Sequence, residues 1–527
     1  MKNRALIVSV GNFYPDAGLN KRNGVKRDSR RLHKILTKLG FSVDIKIDIE
    51  AEEIYEAFKA ESEKTVKDCF VGIISTHGEE GVVFGADGRA VKLAEIYSYF
   101  GGPSMVDKSK LFLIQACRGY GLDGGVEVET DSSSSEEEDS MSELFSIPID
   151  TAVMYATSPG YGAFMHPLGS ALIQTLCDLL EKEGGPDLEI TKLLTRLNYQ
   201  VAYNFQSRGE TLGGKKQMPC FVTRFTREVF PFSKTAAAED LSLNFAATKL
   251  LDEPVRFPFT ANKTVKNRAL IVSVGNFYPE AGLNKRNGVK RDSRRLHKIL
   301  TKLGFSVEIR IDIEAEEIYE AFKAESEKTV KDCFVGIIST HGEEGVVFGA
   351  DGRAVKLAEI YSYFGGPSMV DKSKLFLIQA CRGYGLDGGV EVETDSSSLK
   401  EEDGLSELFS IPIDTAVMYA TSPGYGAFMH PLGSALIQTL CDLLEKEGGP
   451  DLEITKLLTR LNYQVAYNFQ SRGETLGGKK QMPCFVTRFT REVFPFSKTA
   501  AAEDLSLNFA ATQLIDEPVR SRKSSIS

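Results

Sequence analysis

The sequence predicts an α/β protein with a mostly parallel central sheet flanked by helices, built twice in one chain. Three observations lead there. Apolar runs of strand length alternate with amphipathic helical stretches, the pattern of a parallel sheet with crossover helices. Lys2 to Arg256 recurs as Lys266 to Arg520 at a constant shift of 264 residues with nine differences, among them Asp16 against Glu280 and Lys46 against Arg310. The repeat is domain-sized, whereas solenoid repeats run about 20 to 50 residues, and so long a chain exceeds what one core supports.

Within one copy, Arg4 to Val10 reads as a buried strand and Val25 to Leu39 as an amphipathic helix, with Leu32, Ile35, Leu36 and Leu39 on one stripe. Phe41 to Ile47, Cys69 to Ser75 and Leu111 to Ala116 are further strands, and Ile54 to Lys64 and Leu93 to Phe100 are helices between them. After an acidic, serine-rich break come a strand at Ala152 to Ala156, helices near Ala171 to Glu181 and Ile190 to Phe205, and a strand at Cys220 to Phe225. The second copy repeats this order. Thr235 to Val265 reads as a linker with one short helix in Ala236 to Leu251. Its roughly 30 residues span on the order of 100 Å when extended, enough for the two copies to meet. The expected domains are residues 1–234 and 266–498, joined by 235–265 and followed by a tail, 499–527.

A hydrophobic content of 42% supplies full cores and excludes a wholly disordered chain. Net charge is −10 with no basic cluster read, so neither nucleic acid nor an anionic membrane is an expected partner. The apolar run Ala5 to Val10 is too short for a signal sequence or a membrane span. Eight cysteines without a CxxC pair suit reduced thiols rather than disulfides or a zinc site. A cytoplasmic protein without cofactor or metal is the expectation.

In a parallel sheet, ligands gather beyond the carboxyl ends of the strands, where the following loops converge. Two such ends carry reactive side chains. Phe70 to Ser75 runs into Thr76-His77-Gly78, and Leu111 to Ile114 runs into Gln115-Ala116-Cys117-Arg118-Gly119. A thiol needs a neighbouring base to present a thiolate at neutral pH, and imidazole then protonates the leaving amine. Cys117 with His77 supplies both functions. Cys69, Cys177 and Cys220 fall in apolar patterns and read as inert buried thiols. His33 and His166 read as structural.

Gln115-Ala-Cys-Arg-Gly119 matches the caspase signature, with its histidine upstream. Ser75-Thr-His-Gly-Glu-Glu-Gly81, Pro159-Gly-Tyr161 and Lys215-Lys-Gln-Met-Pro-Cys220 resemble executioner-caspase sequence in the same order, so each copy resembles a caspase over nearly its whole length. The resemblance implies the caspase-haemoglobinase fold, with Cys117 and Cys381 as nucleophiles and His77 and His341 as acid/base partners. It implies oxyanion donors at the backbone N–H groups of Gly78 and Cys117, and of Gly342 and Cys381. It implies a histidine oriented by a backbone carbonyl near Asn20 and Asn284. It also implies a substrate aspartate held by Arg22 and Gln115, and by Arg286 and Gln379.

A third, arginine member of that pocket is replaced by methionine, at Met165 and Met429. Methionine offers a carboxylate no hydrogen bond, and the loss is expected to cost roughly 2 to 4 kcal/mol, unless a protonated His166 partly replaces the guanidinium. The resemblance further implies a precursor cut between a large part (about 1–131 and 266–395) and a small part (about 140–234 and 404–498), at Asp131 or Asp139 and at Asp395 or Asp403. Expected partners are protein substrates with aspartate before the cut bond, an upstream activating caspase, and either pairing of the two copies within the chain or a caspase-type dimer. A weak or inactive regulator that pairs with active caspases is the alternative that the methionines motivate. A gene fusion with no role beyond its single unit is a third.

Overall fold

A computed structural model describes residues 1–118, 147–158, 162–184, 187–207, 216–232, 265–382, 411–422, 427–449, 451–471 and 480–496. The candidate processing positions Asp131, Asp139, Asp395 and Asp403, the Pro159-Gly-Tyr161 motif, the linker helix and the tail lie outside these residues.

The apolar runs at Arg4–Ser9, Cys69–Ser75, Ser109–Gln115 and Thr151–Tyr155 become strands buried nearly throughout, whereas the edge run Ser42–Ile47 is only half-buried. In chain order the first copy forms β1 (Arg4–Ser9), α1 (Val25–Lys38), β2 (Ser42–Ile47), α2 (Ala51–Ser62), β3 (Cys69–Ser75), β4 (Gly78–Glu79), β5 (Val82–Phe84) and β6 (Ala90–Lys92). It continues with α3 (Leu93–Tyr99), β7 (Ser109–Gln115), β8 (Thr151–Tyr155), β9 (Met165–His166), β10 (Gly169–Ser170), α4 (Ala171–Glu183), α5 (Ile190–Asn204) and β11 (Cys220–Thr223). The strands lie in the order β2–β1–β3–β7–β8–β11, parallel from β2 to β8 and antiparallel at β11. β11 then pairs antiparallel with its counterpart Cys484–Thr487, Val222 opposite Val486, so a single 12-stranded sheet runs through both copies.

Alternation along the strands divides the core between the two faces of this sheet. Ala5, Ile7, Val71, Ile73, Leu111 and Leu113 meet Leu32 and Leu36 of α1 and the apolar sides of α4 and α5. Leu6, Val8, Phe70, Ile74, Phe112 and Ile114 meet Ile54 and Phe58 of α2 and Tyr97 of α3. Local signals set the helix starts. Glu50 and Glu53 form a reciprocal capping box on α2, and Ser170 and Glu189 each accept a backbone N–H at the start of α4 and α5.

The helices and long strands match the sequence expectation to within three residues at their ends. α2 begins at Ala51 rather than Ile54, where the capping box starts it, and β11 ends at Thr223 rather than Phe225. The three-stranded sheet β4–β5–β6 and the hairpin β9–β10 were not anticipated, since two- and three-residue strands are too short to show a period.

Candidate active site

β3 and β7 are neighbours in parallel register, with Ser75 opposite Gln115. Their chains therefore leave the same edge of the sheet side by side, one carrying His77 and the other Cys117. Arg22, His77, Gln115, Cys117, Ala163 and Met165 line a single cleft of about 220 Å³. The sequence-predicted residues for nucleophile, base and carboxylate binding are thus brought together. His166 is exposed, does not line this cleft, and accepts the Leu168 N–H at Nδ1 (3.1 Å).

The Nε2–H of His77 donates to the carbonyl of Asn20 (2.8 Å), and that of His341 to Asn284 (2.7 Å), the carbonyls that the resemblance pointed to. A carbonyl only accepts, so this bond fixes the tautomer and leaves Nδ1 with its lone pair. Burial lowers the His77 pKa below the ordinary imidazole value of 6.5. The Asn20 bond opposes that shift and the Arg22 charge adds to it, so the ring is neutral at pH 7. The ring also lies against Phe13, centroids 5.1 Å apart.

Cys117 and Cys381 are half-buried, while the other six cysteines are buried. Burial pushes the Cys69 and Cys177 thiols up to about 12 and raises Cys220 as well, which keeps them protonated. Cys117 Sγ accepts the N–H of Ala163 (3.4 Å) and lies 3.8 Å from the Ala163 carbonyl. Gly78 packs beneath it. A Cβ there would stand 2.7 Å from the Val82 carbonyl oxygen and 2.9 Å from the Ala116 Cβ, so only glycine lets the β4 backbone approach the Cys117 turn this closely.

Arg22 is 8% exposed. Its Nη1 donates to the Val10 carbonyl (3.1 Å) and Ser75 Oγ (3.3 Å), and its Nη2 to the Gln115 carbonyl (3.4 Å). Burial brings its pKa down to about 10, which leaves it charged at neutral pH. The amide of Gln115 is fully buried, and among the described residues neither its oxygen nor its nitrogen has a hydrogen-bond partner. Arg286 and Gln379 repeat these features in the second copy.

The family model described as Caspase domain matches residues 2–230 and 266–494. The chain belongs to the caspase family. Caspase-7 of Gallus gallus is 35% identical over 248 residues, covering 45% of this chain and 80% of its own length. Caspase-3 of Mesocricetus auratus is 38% identical over 233 residues, covering 43% and 82%. The crystal structure of caspase-1 from Spodoptera frugiperda aligns with a TM-score of 0.39 and 30% identity over 45% of this chain and 94% of that one. Membership puts the chain in a class of cysteine peptidases, with two caspase domains in tandem.

Two features of these caspase domains were not read from the sequence. The Ala163 peptide touches the sulfur from 46 residues away. Gln217, inside a motif quoted above, pins the segment that carries that peptide: its Oε1 accepts from Phe164 N (3.0 Å) and its Nε2 donates to the Ala156 carbonyl (2.8 Å). Gln217 is fully buried, and a buried amide needs such partners. A lone glutamine beside two lysines carries no sequence signal of that role.

Proposed function

We propose that each caspase domain is an endopeptidase that cuts polypeptides after aspartate. One cleft carries this reading: it joins a half-buried thiol and a neutral imidazole to a buried guanidinium and an amide that has no partner among the described residues. Cys117 Sγ passes its proton to His77 and attacks the carbonyl carbon of the scissile bond. The N–H groups of Gly78 and Cys117 hold the oxygen as it becomes negative, at about 3 kcal/mol for such a donor. As the C–N bond breaks, His77 returns the proton to the leaving amine and a thioester remains. Water, deprotonated by His77, attacks the thioester and releases the carboxylic acid and the thiol.

The side-chain carboxylate of the substrate aspartate takes the remaining donors of Arg22 and the NH2 of Gln115. An unpartnered buried amide costs roughly 1 to 3 kcal/mol, so a group that satisfies it is favoured over an apolar one. Executioner-type action in programmed cell death in the cytoplasm rests on the motif resemblance. So do domain limits at 1–234 and 266–498, and precursor processing at Asp131 or Asp139 and Asp395 or Asp403 by an upstream caspase. Pairing of the copies through β11 and Cys484–Thr487 would stand in for a dimer of separate chains.

Met165 in the cleft favours a second reading, a weak caspase-like regulator. Tetrapeptide-aspartate reporters separate the two. The parent chain, treated with an activating caspase, should hydrolyse them and the Cys117→Ala/Cys381→Ala chain should not. Equal rates in the two proteins would end the peptidase reading.

A further inference from the structure

Between positions 21 and 34 the chain places seven cations against one carboxylate, the buried Asp28. No basic cluster was read in the sequence because the whole chain is acidic. The helix assembles one, since residues 26, 27, 30, 31 and 34 share the face of α1 opposite the buried Val25, Leu32, Ile35 and Leu36. That face lines a cleft of about 730 Å³, and among the described residues the only acid in its wall is Asp48, whose carboxylate accepts the N–H groups of Gly11 and Asn12 and the Asn12 amide.

Two of the seven are committed. Arg22 is buried in the neighbouring cleft, and Arg31 pairs with Asp178 (2.5 Å) and Glu181 (2.7 Å). The other five, Lys21, Lys26, Arg27, Arg30 and Lys34, are exposed and carry no hydrogen bond or ion pair among the described residues. Like charges one helical turn apart repel, and the charge of Asp48, which acts on Lys26, offsets them only in part. The basic cleft is continuous with the Cys117 cleft: Lys21, Arg22, Asn23 and Pro167 line both.

We propose that this cleft is an exosite for acidic polypeptide flanking the bond to be cut. The inference rests on the peptidase reading of the adjoining cleft and adds a substrate class to it. Continuity with a cleft that takes polypeptide favours polypeptide over nucleic acid. A sequence of this kind exists in the chain itself: positions 119–146 hold nine carboxylates and no cation, around the candidate cleavage positions Asp131 and Asp139.

The test uses a synthetic peptide of residues 123–143 and a counterpart carrying Glu136→Gln, Glu137→Gln, Glu138→Gln and Glu143→Gln. Binding is read by fluorescence anisotropy on the Cys117→Ala/Cys381→Ala chain. The acidic peptide should bind about tenfold tighter, with the advantage shrinking as salt rises. The advantage should vanish in a chain with Lys26→Gln, Arg27→Gln, Arg30→Gln, Lys34→Gln and the matching changes at Lys290, Arg291, Arg294 and Lys298. Glutamine keeps helix propensity on an exposed face, and the salt titration needs no variant.

Equal binding of the two peptides, or an advantage that salt leaves unchanged, would overturn the exosite even where reporters are cleaved. An acidic preference in a chain that cleaves no reporter would remove the peptidase reading and leave the docking surface. Tighter binding of a single-stranded oligonucleotide of equal charge would overturn polypeptide as the partner.

Discussion

Arg22 commits three of its five N–H donors to the scaffold, two from Nη1 and one from Nη2. Among the described residues the Nε–H and one Nη2–H remain for a ligand, beside a Gln115 amide with no partner. Under the proposed function, this half-built carboxylate site would read aspartate without a second guanidinium, and would read it weakly. Met165→Arg with Met429→Arg is expected to raise kcat/KM on aspartate reporters about a hundredfold, equivalent to roughly 3 kcal/mol. An unchanged value would mean that the cleft does not use that position for carboxylate recognition. The candidate nucleophile, base and Gln115 were legible because they sit in contiguous motifs at the ends of β3 and β7, whereas Arg22, just before α1, was legible only through the resemblance. The Ala163 peptide was not, because it acts through its backbone and any residue type offers the same N–H.

α1 also joins parts of the copy that lie on either side of the candidate processing positions. Asp28, 1% exposed, accepts the Ser170 N–H at the start of α4 and the Gln174 amide, while Arg31 reaches the Gln174 carbonyl oxygens as well as Asp178 and Glu181. A processed copy would stay assembled through this seam and the shared sheet. Asp28→Ala strips the Ser170 N–H and the Gln174 amide of their acceptor, and is expected to lower unfolding stability by about 2 to 3 kcal/mol. A chemical-denaturation shift under about 0.5 kcal/mol would show that the seam holds without it. The stripe on α1 was legible from Leu32, Ile35 and Leu36. Its opposite face is not legible from net charge, because a chain-wide sum hides a local excess.

Across the whole molecule, two copies share one sheet and an interface that is symmetric residue by residue. Asn198 donates to the Phe489 carbonyl and Asn462 to the Phe225 carbonyl, both at 3.1 Å, and Lys192–Glu492 mirrors Lys456–Glu228. The repeat announced two domains, but the sequence alone left open whether they pair with each other, since strand neighbours far apart in the chain leave no local period. Partners tethered in one chain meet at high effective concentration, so sedimentation should give a particle of 58.0 kDa whatever the dilution. A mass near twice that value at low micromolar concentration would speak for pairing between chains. Because each cleft has its own codons, a change can be written into one and withheld from the other. Separately encoded subunits would have to be mixed and sorted to reach that state. Here an asymmetric pair breeds true, and the untouched half serves as the internal standard for its altered twin.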